Sequence, residues 1–347
     1  MAPTTMTTFR RVAAVIREVI GPETLAKKIT REDVNRVRDT IINLPMYYPS
    51  RFKGMSMAQA IRHADEHDLP RRNVTAINPH LIRVTTIFRW AEAQWLVDRN
   101  PAVRLAIRPN QSTAKFVRKP FSIDDLNTIF SAPIYSGCVD DWTNFKKPGP
   151  NKPRRERFWM PLIALFSGLR LNEICQLDVN DIVEHHSVPC FRITNESEYG
   201  YSDKRTKTPA ANRHVPIHRE LIEIGLLLYR NEMAEAGERK LFPNLALNKK
   251  GHYSHAMSIW FTQRLLKSLG IYNRETTFHS FRHNFRDALR RSKAGVYVMK
   301  ELCGWSLPNK GLEWAYGSLL TIEELKEATD RIEYPGLSLG HIEYLGR

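Results

Sequence analysis

A polar, basic segment bounded by prolines, Arg108 to Pro120, separates two stretches of chain that are each rich in apolar residues. This separation is the strongest constraint on the fold, because a chain of 347 residues is long enough for two domains of about 100–200 residues each. Hydrophobic residues make up 42% of the chain, enough for two cores, which argues against wholesale disorder. We predict a first domain over residues 1–112, a linker over 113–120 and a second domain over 121–347.

The charge balance favours a polyanionic partner. Lys and Arg number 52 against 37 Asp and Glu, a formal net charge of +15, which favours nucleic acid first and an anionic membrane surface second. The 4 cysteines contain no CxxC pair and are too few for a disulfide scaffold, so we expect a reducing compartment. No apolar run approaches the roughly 18 residues of a membrane span, and the chain start lacks the pattern of a signal peptide.

Two strong helices are predicted in the first domain. The first opens at a capping box formed by Thr30 and Asp33, after which apolar residues recur at helical spacing. The second is predicted to begin at Asn78–Pro79 and to end near Asn100–Pro101, because a proline restrains the residue before it from helical geometry. The first domain is therefore predicted to be helical.

The stretch between these helices, Pro45–Pro70, is predicted as an irregular loop that faces DNA. It carries Tyr47 and Tyr48 close to the basic residues Arg51 and Lys53. Basic and aromatic side chains in one loop suit a nucleic-acid surface. The predicted DNA contacts are Arg51 and Lys53 of this loop and Lys115, Arg118 and Lys119 of the linker.

The second domain is predicted to be mostly helical with a small sheet. Ser122 and Asp125 form a capping box for its first helix. Two segments, Val188–Thr194 and Arg213–Ile217, are predicted as strands on either side of a polar, turn-rich insert. Further helices are predicted at Phe158–Phe166, Arg219–Glu235, Ala256–Leu269, Ser280–Arg291, Val296–Cys303 and Ile322–Ile332.

The segment GLRLNEICQL, residues 168–177, places an arginine and a glutamate on one helical face. Gly168 ends one helix, Arg170 begins the next, and Glu173 follows three residues later, where it can brace the guanidinium. Taken alone, such a pattern more often marks a surface ion pair at a helical corner.

Two further motifs carry groups that suit a phosphate. Lys207 lies in the predicted hairpin, from which an ammonium can approach a phosphate oxygen and donate a proton if its pKa is lowered. His279 and Arg282 lie three residues apart at the start of a helix, and a helix N-terminus favours bound anions. Taken singly, a solvated lysine, a capping histidine and a surface arginine are the alternatives.

Two aromatic residues near the end of the chain complete the set. Trp305 ends the motif LCGW, and Tyr316 follows it by eleven residues in WAYG. Either side chain could simply pack in a core. In this order, however, Arg, Lys, His-x-x-Arg, an aromatic donor and Tyr form a full set for phosphoryl transfer without a metal.

These ordered motifs resemble those of the tyrosine recombinase (phage integrase) family. The resemblance covers about residues 118–332 through GLRLNEICQL, KT…RHVPI, HSFRH, LCGW and WAYG, and extends with less specificity to FRWAEAQWLVDRNP. It implies a fold that is mainly α with a small β-sheet. An N-terminal helical core-binding domain and an α+β catalytic domain would form a C-shaped clamp on DNA.

The resemblance implies a role for each residue that would act on the phosphate. Tyr316 matches the nucleophile, which forms a 3′-phosphotyrosine with DNA. Arg170 and Arg282 match the pair that holds the non-bridging oxygens, and Lys207 matches the general acid for the 5′-oxygen. Paired guanidinium forks suit the geometry of a phosphate.

Four other positions match supporting roles. His279 corresponds to a base or a hydrogen-bond donor, and Trp305 stands where histidine is more common. An indole N–H can donate to a phosphate oxygen but cannot shuttle a proton. Glu173 and His283 match positions behind the phosphate-binding groups.

Two departures from the family pattern leave other tyrosines to consider. Cys303 stands where the family usually has glycine, and the loop that leads to Tyr316 is slightly longer than usual. Tyr297 lies before LCGW and Tyr334 lies in a tail bounded by proline and glycine, so Tyr316 is the preferred nucleophile. The tail, Glu333–Arg347, is predicted either to pack on its own domain or to pack on a neighbouring copy.

The function implied by the resemblance is site-specific DNA recombination without ATP, because the covalent tyrosyl intermediate retains the energy of the broken bond. No cofactor and no metal site are predicted. A non-catalytic integrase-like DNA-binding protein and a type IB topoisomerase-like enzyme that relaxes DNA are the alternatives. The expected partner is double-stranded DNA, bound by a homo-oligomer that forms a tetramer on paired sites, without a membrane. The expected location is the cytoplasm, at the nucleoid, in a bacterial or phage-derived setting.

Overall fold

The computed structural model describes residues 3–108, 118–201, 203–206, 211–249, 251–305, 320–344 and 346. The chain separates into two compact units, Met1–Lys115 and Phe116–Arg347. Among the described helices, none combines the length and the apolarity that crossing a membrane requires.

The first unit is helical. The capping box predicted for its second helix is present, since Thr30 Oγ1 accepts a hydrogen bond from the Asp33 amide at 3.2 Å and the Asp33 carboxylate accepts one from the Thr30 amide at 2.8 Å. The apolar face of that helix, including Val34 and Val37, is fully buried in the core of the unit. The described helices are α1 Pro3–Ile20, α2 Arg31–Asn43, α3 Met57–Glu66 and α4 Val74–Ala93.

Helix α4 begins and ends earlier than its prolines predict. Asn73 caps it by accepting from the Ala76 amide at 2.9 Å, and Pro79 lies inside the helix. Proline removes one backbone donor there. Burial of apolar side chains on both sides of Pro79 offsets this loss. The helix ends at Ala93 because Trp95 adopts a left-handed backbone conformation with φ 57°.

The prediction of an irregular loop throughout residues 45–70 is wrong, because the stretch contains α3. Ser56 Oγ accepts from the Gln59 amide at 3.2 Å, and Gln59 Oε1 accepts from the Ser56 amide at 2.8 Å. This capping box is readable in the sequence. Residues 45–55, which carry Arg51 and Lys53, do lie outside helices and strands.

The second unit surrounds its core with helices and one small sheet. Its described helices are α5 Ile123–Phe130, α6 Pro133–Ser136, α7 Glu156–Ser167, α8 Leu171–Cys175, α9 Arg219–Ile224, α10 Leu226–Glu235, α11 Ser254–Ile259, α12 Leu266–Ser268, α13 Ser280–Arg291, α14 Val296–Cys303 and α15 Ile322–Asp330. A π-helical segment, Trp260–Leu265, joins α11 to α12, and Gly225 with φ 107° separates α9 from α10. The capping box predicted at Ser122 is present.

The sheet has the antiparallel order β1-β2-β3, with β1 Ile182–His185, β2 Val188–Ile193 and β3 Arg213–Pro216. The two predicted strands correspond to β2 and β3. Strand β1 was not predicted, and it joins β2 through a two-residue turn in which His186 and Ser187 have φ of 47° and 62°. Such turns usually use Asn-Gly or Asp-Gly, so the sequence carries no signal for this hairpin.

Helix α7 lies at the centre of the second unit and is buried along nearly its whole length. It ends at Gly168, whose φ is 62°. A Cβ at this position would lie 2.3 Å from Cδ1 of Phe285 on α13. Glycine is therefore required both for the turn and for the close packing of α7 against α13.

The described residues of the C-terminal tail pack on their own unit, the first of the two predicted alternatives. The Tyr334 hydroxyl donates to the Leu165 carbonyl at 2.7 Å. Further along, the Tyr344 amide donates to the Ile224 carbonyl at 2.7 Å, and the Tyr344 ring centroid lies 5.8 Å from that of Trp159. The tail thus completes the core.

Candidate active site

The predicted brace between Arg170 and Glu173 is present. Arg170 caps α8, and its amide donates to Glu173 Oε2 at 3.0 Å while its Nη1 donates to Oε1 at 2.6 Å. The other end of the guanidinium, Nη2, lies 3.5 Å from the Gly304 carbonyl oxygen. The side chain of Arg170 is 26% exposed, so part of the guanidinium faces solvent. The brace therefore orients a cation that an anion can still reach.

Arg213, the first residue of β3, is a site residue that the sequence analysis missed. Its side chain is 1% exposed, and Nη2 donates to Glu173 Oε2 at 3.1 Å. Nε donates to the Leu302 carbonyl at 3.0 Å and Nη1 to the Ala211 carbonyl at 2.8 Å. One guanidinium thus joins the end of the hairpin, α8 and the end of α14. The sequence did carry one signal for this role. Arg213 stands two residues before the apolar Val215 in a predicted strand, so both side chains lie on the same, inward-facing side of the sheet.

The charge on Glu173 is maintained by two arginines. Burial alone would raise the pKa of this carboxyl, but the guanidinium groups of Arg213 and Arg170 and the Arg170 amide outweigh burial and lower the pKa. The carboxylate therefore stays ionised at neutral pH. Because two cations share one carboxylate, this cluster keeps a net positive charge.

Arg282 reaches the same region from the first turn of α13. It is 4% exposed, and its Nη1 donates to the Gly168 carbonyl at 2.5 Å while Nη2 donates to the Cys303 carbonyl. Burial lowers its pKa to about 10, so it remains protonated at neutral pH. These carbonyl partners orient the guanidinium without cancelling its charge.

A glycine turn brings Trp305 next to Arg282. Helix α14 ends at Gly304, whose φ is 58°, and a Cβ there would lie 2.7 Å from Nη1 of Arg213. Trp305 follows this turn, and its ring centroid lies 5.7 Å from Cζ of Arg282. The indole is 37% exposed. The surface of the indole is thus available to a ligand beside Arg282.

His279 is exposed at the N-terminus of α13, with its ring centroid 5.2 Å from that of His283 and the two rings perpendicular. Its pKa is lowered to about 4, first because surrounding protein atoms partly desolvate the ring and then because of His283, Arg282 and Arg170. The imidazole is therefore neutral at neutral pH, and one nitrogen can accept a proton. The pKa of His283 is lowered as well, mainly by desolvation.

Lys207 lies outside the described residues, as do Tyr316 and Lys115. Lys204, three residues before Lys207, is described and belongs to a buried ion-pair cluster. Its side chain is 1% exposed, and Nζ lies 2.9 Å from Asp178 Oδ2 and 2.5 Å from Asp181 Oδ2. Lys204 therefore anchors the insert and does not suit the role of proton donor to a ligand.

The alternative nucleophile Tyr334 is unsuited to attack a phosphate. It is 7% exposed, its hydroxyl is bonded to Leu165, and burial raises its pKa well above the usual value. Tyr297, the other alternative, is 52% exposed on α14, with Lys300 Nζ 5.9 Å from its ring centroid.

Four of the residues predicted to contact DNA are described, two in each unit. In the first unit Arg51 and Lys53 are exposed, and Arg51 Cζ lies 4.7 Å from the Tyr47 ring centroid. Lys53 lines an open cavity of about 770 Å³, which is also lined by Arg11, Arg72 and His80. In the second unit Arg118 donates to the Arg274 carbonyl at 3.0 Å, and Lys119 Nζ pairs with Glu275 at 2.7 Å. Lys119 is therefore partly compensated by a carboxylate.

Comparison with known proteins finds one matching family and several solved structures of similar fold. Residues 145–310 match the model of the phage integrase family, and no curated protein matches the chain. The Tn1549 transposon integrase in complex with a circular intermediate DNA is similar with a TM-score of 0.54 and 16% identity, over 96% of this chain and 95% of that chain. A lambda integrase dimer bound to a core site is similar with a TM-score of 0.51 and 16% identity, over 93% of each chain.

At this identity the structural likeness shows the fold, which confirms the predicted mainly helical architecture with a small sheet. The family match spans the segment that contains Arg170, Glu173, Arg213, Arg282 and Trp305. Residues 145–310 of this chain are thus similar to the phage integrase family.

Proposed function

We propose that this chain is a site-specific DNA recombinase that cuts and rejoins DNA through a tyrosyl phosphate. One observation carries the proposal: Arg170 and Arg282, from separate helices, converge on the turn at residues 303–304. In this mechanism both guanidinium groups bind the non-bridging oxygens of one DNA phosphate. Stabilising those oxygens and aligning the reacting groups are the main requirements of phosphoryl transfer.

The first chemical step exchanges one phosphate ester for another. The hydroxyl oxygen of Tyr316 attacks phosphorus, and its proton passes to the neutral imidazole of His279 or to water. The P–O5′ bond breaks, and the leaving 5′-oxygen takes a proton from Lys207. Trp305 donates its indole N–H to a phosphate oxygen.

Rejoining reverses these transfers. A 5′-hydroxyl of the exchanging strand attacks the phosphotyrosine, its proton returns to Lys207, and the tyrosine oxygen leaves and is reprotonated. One ester replaces another in each step, so strand exchange needs no external energy. Joining two duplexes requires four strand cuts, which one tyrosine from each of four copies supplies on paired DNA sites.

The experiment is covalent capture on a pool of nicked duplexes with randomised centres, followed by sequencing of the DNA that remains bound in detergent. The nick lets the short 5′ fragment diffuse away, so the tyrosyl adduct accumulates. We expect an adduct with wild type, none with Tyr316→Phe, and an unchanged yield with the matched control Tyr297→Phe.

Each other outcome points to a different function or assignment. An adduct with Tyr316→Phe contradicts the choice of nucleophile. DNA binding without any adduct from wild type indicates a non-catalytic DNA-binding protein. Relaxation of supercoiled plasmid without joining of two captured sites indicates a topoisomerase-like enzyme.

A further inference from the structure

The last turn of α3 gathers three possible metal ligands that the recombination mechanism does not use. His63, Glu66 and His67 each offer one ligand atom, and these atoms lie within 4.8 Å of one another. The spacing HxxEH places the two histidines four residues apart on one helical face. His63 is half-buried, and Glu66 and His67 are exposed, so an ion can reach them from solvent.

The hydrogen bonding of His67 prepares one ring nitrogen for a cation. Nδ1 lies 2.8 Å from the His63 carbonyl oxygen. A carbonyl oxygen only accepts, so Nδ1 carries the hydrogen and Nε2 of the neutral ring keeps its lone pair. Metal-binding histidines commonly have their second nitrogen fixed in this way.

The position on the helix also favours a cation. His67 is the C-terminal cap of α3, where the free carbonyls of a helix carry partial negative charge. The segment around it, residues 63–68, contains three carboxylates and no lysine or arginine, in a chain with a net charge of +15. Asp65 is held by Arg71, which leaves Glu66 as the carboxylate grouped with the histidines.

The donor set selects the kind of ion. Two imidazoles and one carboxylate suit zinc and its neighbours among the transition metals, whereas magnesium prefers oxygen ligands. Zinc with bonds of about 2.0–2.2 Å keeps its ligands about 3.4 Å apart, so the three ligand atoms, which lie within 4.8 Å of one another, come closer together on binding.

We propose that His63, Glu66 and His67 form a binding site for a zinc-class divalent cation that stabilises the end of α3. The His63 ring lies edge-on to Phe52, with the centroids 6.0 Å apart. Phe52 lies between Arg51 and Lys53 in the sequence, so the ion also steadies the loop that carries these predicted DNA contacts.

The experiment measures zinc binding by the untagged full chain, first stripped with a chelator, in competition with a chromophoric zinc indicator. We expect one saturable site in wild type and at least about tenfold weaker binding in His67→Asn and in His63→Asn. The matched control is His186→Asn, an exposed histidine on the other unit, which should bind zinc as wild type does. The cysteines are all buried, so no surface thiol competes for the ion.

Thermal unfolding supplies the second measurement. Saturating zinc should raise the unfolding temperature of wild type and of His186→Asn but not that of His67→Asn, while magnesium at the same concentration has no effect. Because His67 is exposed, its substitution should leave the zinc-free protein folded, so loss of binding there is decisive. Unchanged binding by His67→Asn, or loss of binding with His186→Asn instead, would overturn the proposal.

Discussion

At the residue scale, Arg213 is a positioning residue of the proposed active site. It touches the carboxylate that orients Arg170 and two carbonyls that fix the ends of neighbouring elements. We predict that Arg213→Met slows adduct formation by about a hundredfold while DNA affinity changes little, because small displacements of a phosphate-binding group are costly in rate.

The conservative variant separates positioning from simple loss of folding. Arg213→Lys keeps the charge beside Glu173 but cannot bond both carbonyls, so its rate should lie between wild type and Arg213→Met. Single-turnover capture gives the rate, a filter-binding titration gives the affinity, and thermal unfolding reports on folding. Equal rates for the two variants at equal stability would show that the position of this charge does not matter.

The residue scale also shows which side chains sequence reasoning could assign. Arg170 and Glu173 were paired correctly because their spacing on one helical face makes the contact local. Arg213 lies 40 residues from Glu173 and was one of many basic residues in a basic chain. Only burial distinguishes Arg213 from the solvent-exposed basic residues, and burial depends on tertiary packing, which the sequence does not display.

At the scale of elements, helices with local signals were predictable. The capping boxes of α2 and α5 are present, and α13 and α14 occupy the predicted residues. Helix α3 was missed although its capping box is readable in the sequence, whereas strand β1 lacks a local signal and α4 overrides one. Strand β1 turns through His186 and Ser187, and α4 runs past Pro79 because apolar burial outweighs one lost hydrogen bond.

The junction between β3 and α9 contains a histidine that couples stability to pH. His218 is 2% exposed, its Nδ1 accepts from the Glu220 amide at 3.0 Å and its Nε2 donates to the Ile332 carbonyl at 3.0 Å. The bond from Glu220 requires the neutral ring, because a protonated Nδ1 cannot accept a hydrogen bond. Burial lowers its pKa to about 4, although the bond to Ile332 acts in the opposite direction.

We predict that acid destabilises this junction. The unfolded chain, with a His218 pKa near 6.5, binds more protons than the folded chain between pH 6.5 and 4. The contribution is therefore fully present above pH 6.5 and is lost as pH falls to 4, with a limit of roughly 3 kcal/mol. Urea unfolding of His218→Asn should show a shallower decline over this range than wild type.

A matched variant controls for the effect of removing any histidine. His186→Asn, which changes an exposed histidine, should decline with pH as wild type does. His279 has a pKa lowered in the same direction, so His218→Asn should remove only part of the slope. Identical slopes for wild type and His218→Asn would mean that this junction does not titrate on unfolding.

At the scale of the whole molecule, we expect charge to govern the encounter with DNA that the proposed function requires. The formal charge is +15, and several carboxylates are committed to internal pairs, including Glu173, Asp178 and Asp181. We predict that the logarithm of DNA affinity falls linearly with the logarithm of salt concentration. With about 6–10 phosphate contacts, affinity should drop about 10³–10⁵-fold between about 50 and 200 mM salt.

Titrations of one duplex at several salt concentrations provide the measurement. Arg51→Ala should reduce the slope by about one if this exposed residue meets a phosphate. Glu275→Ala, which frees Lys119 on the other unit, should not reduce it. A slope near zero for wild type would mean that phosphate contacts do not dominate binding.

Arg282 is held by the carbonyl oxygens of Gly168 and Cys303, which belong to the main chain. Every amino acid supplies the same carbonyl, so a cysteine at position 303 serves this arginine as well as the more usual glycine. Changes of the side chains at these two positions therefore leave the hydrogen bonds that orient Arg282 in place, provided that the backbone keeps its path. A change in the path of the backbone would move these carbonyls, and Gly168 and Gly304 resist such a change because a Cβ would lie 2.3 Å from Phe285 at the first and 2.7 Å from Arg213 at the second.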